Sequence, residues 1–268
     1  MIEKNKFFED YNKYKEIDAL NFHKLWEVYN YSLMHYETKE KEKEPTDSQI
    51  LGQIIHLYLL ENIDLNEVIL VMPKLDKRKK EDKEIYEQLI KESMETYKYI
   101  ISEEDHHNIL NMYGSFQNII NTYESYVNIK ECIEKGEKEY NLLYDYNVDG
   151  YTLKVKSRLD CVKDNIIIDL KTTISANPKN FIYDINKYGY RYQCIFYALG
   201  YSIVHNIDIN DLQLYIVAIE KCPPYDMSLY QVLPTKEDIS VIDDMFRKYI
   251  FQINNPKYSG YSKEVIYI

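Results

Sequence analysis

The chain has 268 residues and a mass of 32.3 kDa, long enough to bury a sizeable core as one large domain or two small ones. Asp and Glu number 44 against 33 Lys and Arg, and the net charge of -11 excludes a protein that coats nucleic acid through its bulk field. That charge leaves room for an enzyme whose positive groups are confined to one cleft.

No apolar run is long enough to span a bilayer, and the start, MIEKNKFFEDYNKYKE, has no apolar stretch of the signal-peptide kind. The four cysteines, Cys132, Cys161, Cys194 and Cys222, form no CxxC pair. This speaks against a zinc ribbon, an iron–sulfur cluster or a disulfide framework, and a cytoplasmic setting with reduced thiols is expected. Tyrosine is the compositional oddity at 29 residues. So many rings cannot line one groove, so for most of them a base-stacking role is not expected.

Taken in order, residues 18–36 (DALNFHKLWEVYNYSLMHY) predict a helix with Asp18 or Asn21 as cap, followed by a solvated charged stretch, KEKEKEP. Thr46 or Asp47 caps a strongly apolar helix, SQILGQIIHLYLLEN. A short strand is expected over 66–73. A charged loop over 74–100 then runs into a helix, and further helices follow at about 102–112 and 115–135. From Tyr140 the period becomes alternating. YNLLYDY, a turn at Asn147–Gly150, YTLKVKSRLDCV, a turn at Lys163–Asn165 and IIIDLK predict a three-stranded meander. A helical region over 176–204, broken near Gly189, precedes two strands (DLQLYIVAIE and MSLYQVL, joined by CPPYD) and a closing helix over 236–252. The expected fold class is α/β, a mixed sheet flanked by helices. A single domain is expected, made of an N-terminal helical region over 1–45 and a core over 46–255.

The informative segment is 151–171. Alternation puts Leu153, Val155 and Leu159 on one face, and Lys154, Lys156, Arg158 and Asp160 on the other. A two-residue loop at Asp164–Asn165 sets the register so that Asp160 faces Asp169 and Arg158 faces Lys171. Like charges directly opposed on a sheet are destabilising unless something positive lies between them. A hard divalent cation such as Mg²⁺ is the simplest such group. Lys171 points from the same face, where it can orient or deprotonate a water or neutralise charge on a phosphate. The competing reading is a surface hairpin with a salt-bridge ladder. Against it, the strand before Asp169 is nearly all apolar and hence buried, where a carboxylate needs a partner.

A strand-end Asp-x-Lys with an acid on the adjacent strand resembles the PD-(D/E)XK nuclease signature, and the accompanying motifs resemble RecE-type exodeoxyribonucleases. IIIDLKTT resembles their nuclease core, and KYGYRYQCIFYALGY their Gln-x-x-x-Tyr helix (Gln193, Tyr197). LGQIIHLYLLE resembles their Gly-x-x-x-His helix (Gly52, His56). VMPKLDKRKKEDKEIYEQL resembles their proline-, lysine- and arginine-bearing segment, and VAIEKCPPYDMSLYQV their Val-x-Glu-Lys-x-x-Pro hairpin. The likeness runs in order over about 20–255. It departs at Leu159, where the family has Pro, and in having a single arginine in DKRKK. It implies a restriction-endonuclease-like core with a metal, Mg²⁺ or in its place Mn²⁺, held by His56, Asp160, Asp169 and the Leu170 carbonyl. Asp160, Asp169, Lys171, Gln193 and Tyr197 are the implied catalytic set, and Glu139 the implied support for a second metal or a water.

For His56 a satisfied core histidine is the competing reading, and for Glu139 a solvated helix end. Gly52, one turn before His56, weakens its helix and points to a close approach on that face. Lys74, Lys77, Arg78, Lys79, Lys80 and Lys83 interleave with acids as a solvated loop would. The resemblance makes Arg78 and Lys79 phosphate contacts, beside Lys154, Lys156 and Arg158. It further implies 5′→3′ degradation of double-stranded DNA, a ring-shaped homo-oligomer and a single-strand-annealing recombinase as partner. The alternatives are a helicase- or CRISPR-adaptation-type nuclease with endonuclease activity, and a non-catalytic binding module on the same fold.

Overall fold

The computed structural model describes residues 11–40, 46–61, 63–76, 78–96, 99–261 and 263. The start of the chain, most of KEKEKEP and Lys77 lie outside the described residues. The helices α1 (Tyr11–Glu16), α2 (Phe22–Asn30) and α3 (Leu33–Glu40) come first. The single helix expected over 18–36 is thus two, interrupted at Tyr31–Ser32, and Asn21 caps α2 through Lys24 N. Thr46 caps α4 (Asp47–Leu60) in a reciprocal box with Gln49, which satisfies two of the orphan N–H groups at its start.

A single turn, α5 (Leu65–Val68), leads into β1 (Ile69–Met72). Next come α6 (Lys80–Thr96) and β2 (Tyr99–Ser102), which pairs in parallel with β1. The two helices expected at 102–135 divide later than predicted. α7 (Glu103–Thr122) runs through Gly114, and α8 (Val127–Lys135) follows a short 3₁₀ turn.

The main sheet has the order β3 (Glu137–Val148), β4 (Tyr151–Lys163), β5 (Ile166–Thr173), β6 (Gln213–Glu220), β7 (Met227–Val232). β5 and β6 are parallel and the other pairs antiparallel. A mixed sheet needs a crossover between its parallel strands. Here it is α9 (Pro178–Tyr188) and α10 (Tyr190–His205), divided at Gly189 in the left-handed region (φ 70°). The closing helix is α11 (Lys236–Asn254).

Two buried apolar clusters flank the sheet. One joins α2, α10 and α11 to Leu142, Leu159, Ile167, Leu214 and Ile216. The other joins α4, α7 and α8 to Cys161, Ile168, Leu170 and Val217, and in it Cys132 and Cys161 meet with Sγ atoms 3.3 Å apart.

Two departures from the predicted hairpin shape the site. The expected register holds for Cys161–Ile168, Val162–Ile167 and Lys163–Ile166, but the ladder ends there. Beyond it, residues of β4 pair with Leu20 instead, which donates to the Lys154 carbonyl and accepts from Lys156 N. The alternation also inverts at Asp160: Leu159 faces the first cluster, Cys161 the second and Val162 the first again. Glu139, set opposite Asp160 by the register its neighbours on β3 obey, is left out of that ladder and adopts φ 48°. A non-glycine residue in this region costs on the order of 1–3 kcal/mol, and such strain concentrates at functional sites.

Candidate metal and catalytic centre

The split between β4 and β5 is where the charged groups gather. Asp160 stands at its apex and its Oδ2 accepts a 2.7 Å hydrogen bond from Leu170 N, replacing the ladder bond lost as the strands part. Asp169 is buried at 1% exposure, and Lys171 Nζ lies 2.7 Å from its Oδ2 and donates to its Oδ1 at 2.9 Å. Oδ2 itself accepts no hydrogen bond of good geometry. Arg158 does not face Lys171 as the ladder predicted; it pairs with Glu139, because the strands have diverged before reaching it.

His56 enters from α4. Its Nε2 donates to the Leu170 carbonyl at 2.9 Å, a bond that fixes the tautomer since a carbonyl can only accept. The Nδ1 lone pair is left facing Asp160 Oδ2 at 3.7 Å. Burial, aided by the Lys171 ammonium, holds the His56 pKa below its ordinary value, so the ring is neutral. A neutral imidazole whose second nitrogen is tied to a carbonyl is the usual state of a histidine ligand. His56, Glu139 and Asp160 each offer one atom within 4.8 Å of the others. The structure thus draws Glu139 into the cluster and ties the Leu170 carbonyl to the His56 ring.

Burial pushes Asp160 up to about 7, with the Glu139 charge adding to it and Lys171, Leu170 N–H and Arg158 opposing. Burial likewise raises Asp169 to about 6, with Asp160 adding to the effect against Lys171. For Lys171, burial works downward, but the Asp169 and Asp160 carboxylates outweigh it and keep the ammonium protonated. Two carboxylates held at a cost in a buried site, with Glu139 beside them, form an arrangement that a divalent cation would relieve.

Gln193 and Tyr197 lie one turn apart on α10. The Gln193 amide is held by Tyr197, to whose Oη its Nε2 donates at 2.9 Å. Tyr197 is near enough to both carboxylates that, after burial, their charges raise its pKa further. Gly52 faces β5, but a Cβ there would make only ordinary contact with Thr172 Oγ1 at 3.4 Å, so the close approach expected on this face does not require glycine.

Most of the basic residues expected to meet DNA are engaged by separate partners within the chain. Lys156 is 5% exposed, and its Nζ donates to the carbonyls of Tyr14, Lys15 and Ile17, tying the N-terminal segment to β4. Its removal from any DNA surface follows from that segment covering the strand face that alternation alone leaves open. Lys154 is exposed and bridges Asp145 across the ladder at 2.8 Å. Arg78 is exposed and turned onto Asp76, while Lys79 stands exposed just before α6. Among the described residues, no helix is long and apolar enough to cross a membrane.

Comparison with known proteins bears on the fold and the family. The fold resembles the crystal structure of a provisionally assigned exonuclease from Eubacterium rectale, at 14% identity and a TM-score of 0.56, over 96% of this chain and 94% of that one. The protein SSO0001 aligns at 16% identity over 84% and 86% of the two chains, with a TM-score of 0.34 that is too low to bear on the fold. No curated protein matches the sequence. Residues 20–259 match the family described as "PDDEXK-like domain of unknown function (DUF3799)", and the chain belongs to that PDDEXK-like family.

Proposed function

We propose that this chain is a metal-dependent deoxyribonuclease that degrades linear double-stranded DNA from an end. The observation that carries the reading is the meeting of His56, Glu139, Asp160, Asp169 and Lys171 at the point where β4 and β5 part. A hard divalent cation fits this donor set: a neutral imidazole nitrogen from His56 within reach of the Glu139 and Asp160 carboxylates, with the buried Asp169 carboxylate beside them. His56, Asp160 and Glu139 would hold it, with Asp169 completing the set and Mg²⁺ as the expected ion.

When bound, such a cation supplies Lewis-acid polarisation of the phosphoryl group and a more acidic water. The protein's own groups do the rest. The Leu170 carbonyl fixes the His56 ring, and Leu170 N–H fixes Asp160, so the ligands are pre-positioned at little further entropic cost. Lys171 is held protonated, which suits it to neutralise charge growing on a phosphoryl oxygen and to orient the attacking water by donation, rather than to take its proton. Gln193 and Tyr197 present a coupled amide and hydroxyl beside the carboxylates, suited to a non-bridging phosphate oxygen.

Cleavage from an end, 5′→3′ polarity, a ring-shaped homo-oligomer and an annealing recombinase partner belong to the RecE-type resemblance and extend the same proposal. The test is degradation of end-labelled linear duplex against closed circular DNA, with Mg²⁺ and with chelator. Loss of the linear form alone, only with metal, is the expected result. Equal cutting of both forms would replace the exonuclease by an endonuclease. No cutting of either with Mg²⁺ or Mn²⁺ would overturn the proposal.

A further inference from the structure

The chain leaving β5 carries aromatic groups from the centre out to solvent. Lys171 Nζ lies 4.9 Å from the ring centroid of Tyr190, the first residue of α10. Tyr190 in turn stacks on Tyr188, the last residue of α9, with centroids 5.5 Å apart and planes at 27°. Tyr188 is 46% exposed, and Lys187 Nζ rests 4.9 Å from its ring. Gly189 makes this pairing possible. Its φ of 70° turns the chain between the two rings, and a Cβ there would come within 2.6 Å of Trp26. A side chain at 189 is therefore excluded twice, by conformation and by space.

The charge on this helix is complementary to phosphate. In a chain of net charge -11, the exposed charged residues of α9 are Lys179 and Lys187, while Asp184 is partly buried and accepts from Thr173 Oγ1. A lysine at the inner end, two stacked rings and an exposed lysine at the outer end follow the pattern of a single nucleic-acid strand. Phosphates meet cations there, and bases meet π-faces.

We propose that Tyr188 and Tyr190 form a stacking step that receives a nucleobase next to the phosphate being cut, with Lys187 moving from the Tyr188 ring to the adjoining phosphate. The step rests on the deoxyribonuclease reading and deepens it, for it makes the bound substrate an unpaired strand end at the centre. Base stacking of this kind is sequence-tolerant, so it gives grip without base preference.

The test uses the full chain in chelator, where no cutting occurs, and a short single-stranded DNA with one abasic site placed at each terminal position in turn. Wild-type protein should bind one of these strands roughly 5- to 150-fold more weakly than the intact strand, the range spanned by one stacked base. Tyr188→Ala should abolish that penalty, and Tyr188→Phe, which keeps the ring, should restore it. Because Tyr188 is exposed, Tyr188→Ala should melt with the wild type.

If no abasic position is penalised, or Tyr188→Ala keeps the penalty, the stacking step is wrong. Wild-type cleavage of linear duplex with Mg²⁺, measured alongside, then separates the two claims. Cleavage without a penalty removes only the stacking step, whereas neither cleavage nor binding removes the nuclease reading with it.

Discussion

Replacing Asp160 with asparagine should stabilise the metal-free protein at alkaline pH and leave it unchanged at acid pH. Burial, with Glu139 nearby, holds the Asp160 carboxyl at about 7 in the folded chain, against about 4 when unfolded. A folded-state acid with a raised pKa binds its proton more tightly than the unfolded chain does. The stability it confers is therefore full below about pH 4 and is lost as pH rises through about 7. At about 1.4 kcal/mol per tenfold change in proton affinity, ionising Asp160 costs on the order of 4 kcal/mol at pH 8. That figure is a ceiling, because Asp169 and Lys171 titrate with it.

Asparagine keeps an oxygen to accept from Leu170 N and carries no charge, so Asp160→Asn should recover much of that cost. For a chain of this size the gain is roughly 5–12 °C in melting temperature in chelator at pH 8, about a third of that at pH 5, and near zero at about pH 3. Saturating Mg²⁺ should reverse the order, raising the melting temperature of the wild type and not that of the variant. A variant that melts at or below wild type at pH 8 without metal would refute the picture of a carboxylate held at a cost.

Further outcomes follow from particular contacts. His56→Ala should demand more Mg²⁺ for cleavage and be partly rescued by Mn²⁺, which accepts nitrogen ligands more readily; a metal titration that superimposes on wild type while the fold weakens would return His56 to a core role. Gly200→Ala should cost about 1–3 kcal/mol by thermal melting, because its Cβ would stand 2.6 Å from the Tyr144 ring; Gly52→Ala should be neutral or stabilising, its nearest neighbour being Thr172 Oγ1 at 3.4 Å. Lys156→Met should loosen the N-terminal segment, read as faster proteolysis around residues 14–20, with the salt dependence of DNA binding unchanged, since its Nζ serves backbone carbonyls and not phosphate. Removing Arg78 and Lys79 together should flatten the log–log salt slope of duplex binding by about 0.9 per lost phosphate contact; an unchanged slope would leave this segment a solvated loop.

Where local rules act alone, the sequence was legible. The turn at Asp164–Asn165 and the alternation on either side predicted the register that the three ladder pairs obey. The Thr46 cap and the break at Gly189 follow from capping chemistry and from a residue tolerant of positive φ. Contacts between distant segments were not legible in the same way. Nothing local announces that Leu20 takes the edge of β4, or that Lys156 is enclosed by carbonyls some 140 positions earlier in the chain. The inversion at Asp160 was hidden for a related reason. Periodicity assumes an unbroken pleat, and the positive φ at Glu139 ends that assumption. A lone Glu before an alternating run could still have been weighed more heavily, because the register that opposes Asp160 to Asp169 extends by one strand to oppose Glu139 to Asp160.

The carboxylates of Asp160, Asp169 and Glu139, with Lys171, are proposed to form one metal-dependent cutting site. The most direct test of that proposal compares wild type and Asp169→Asn on end-labelled linear duplex across a Mg²⁺ titration, with melting curves to show that both are folded. Metal-dependent degradation is expected of the wild type, with a loss of about a hundredfold or more in the folded variant at every Mg²⁺ concentration. Undiminished cutting by Asp169→Asn, or wild-type cutting that persists in chelator, would contradict it.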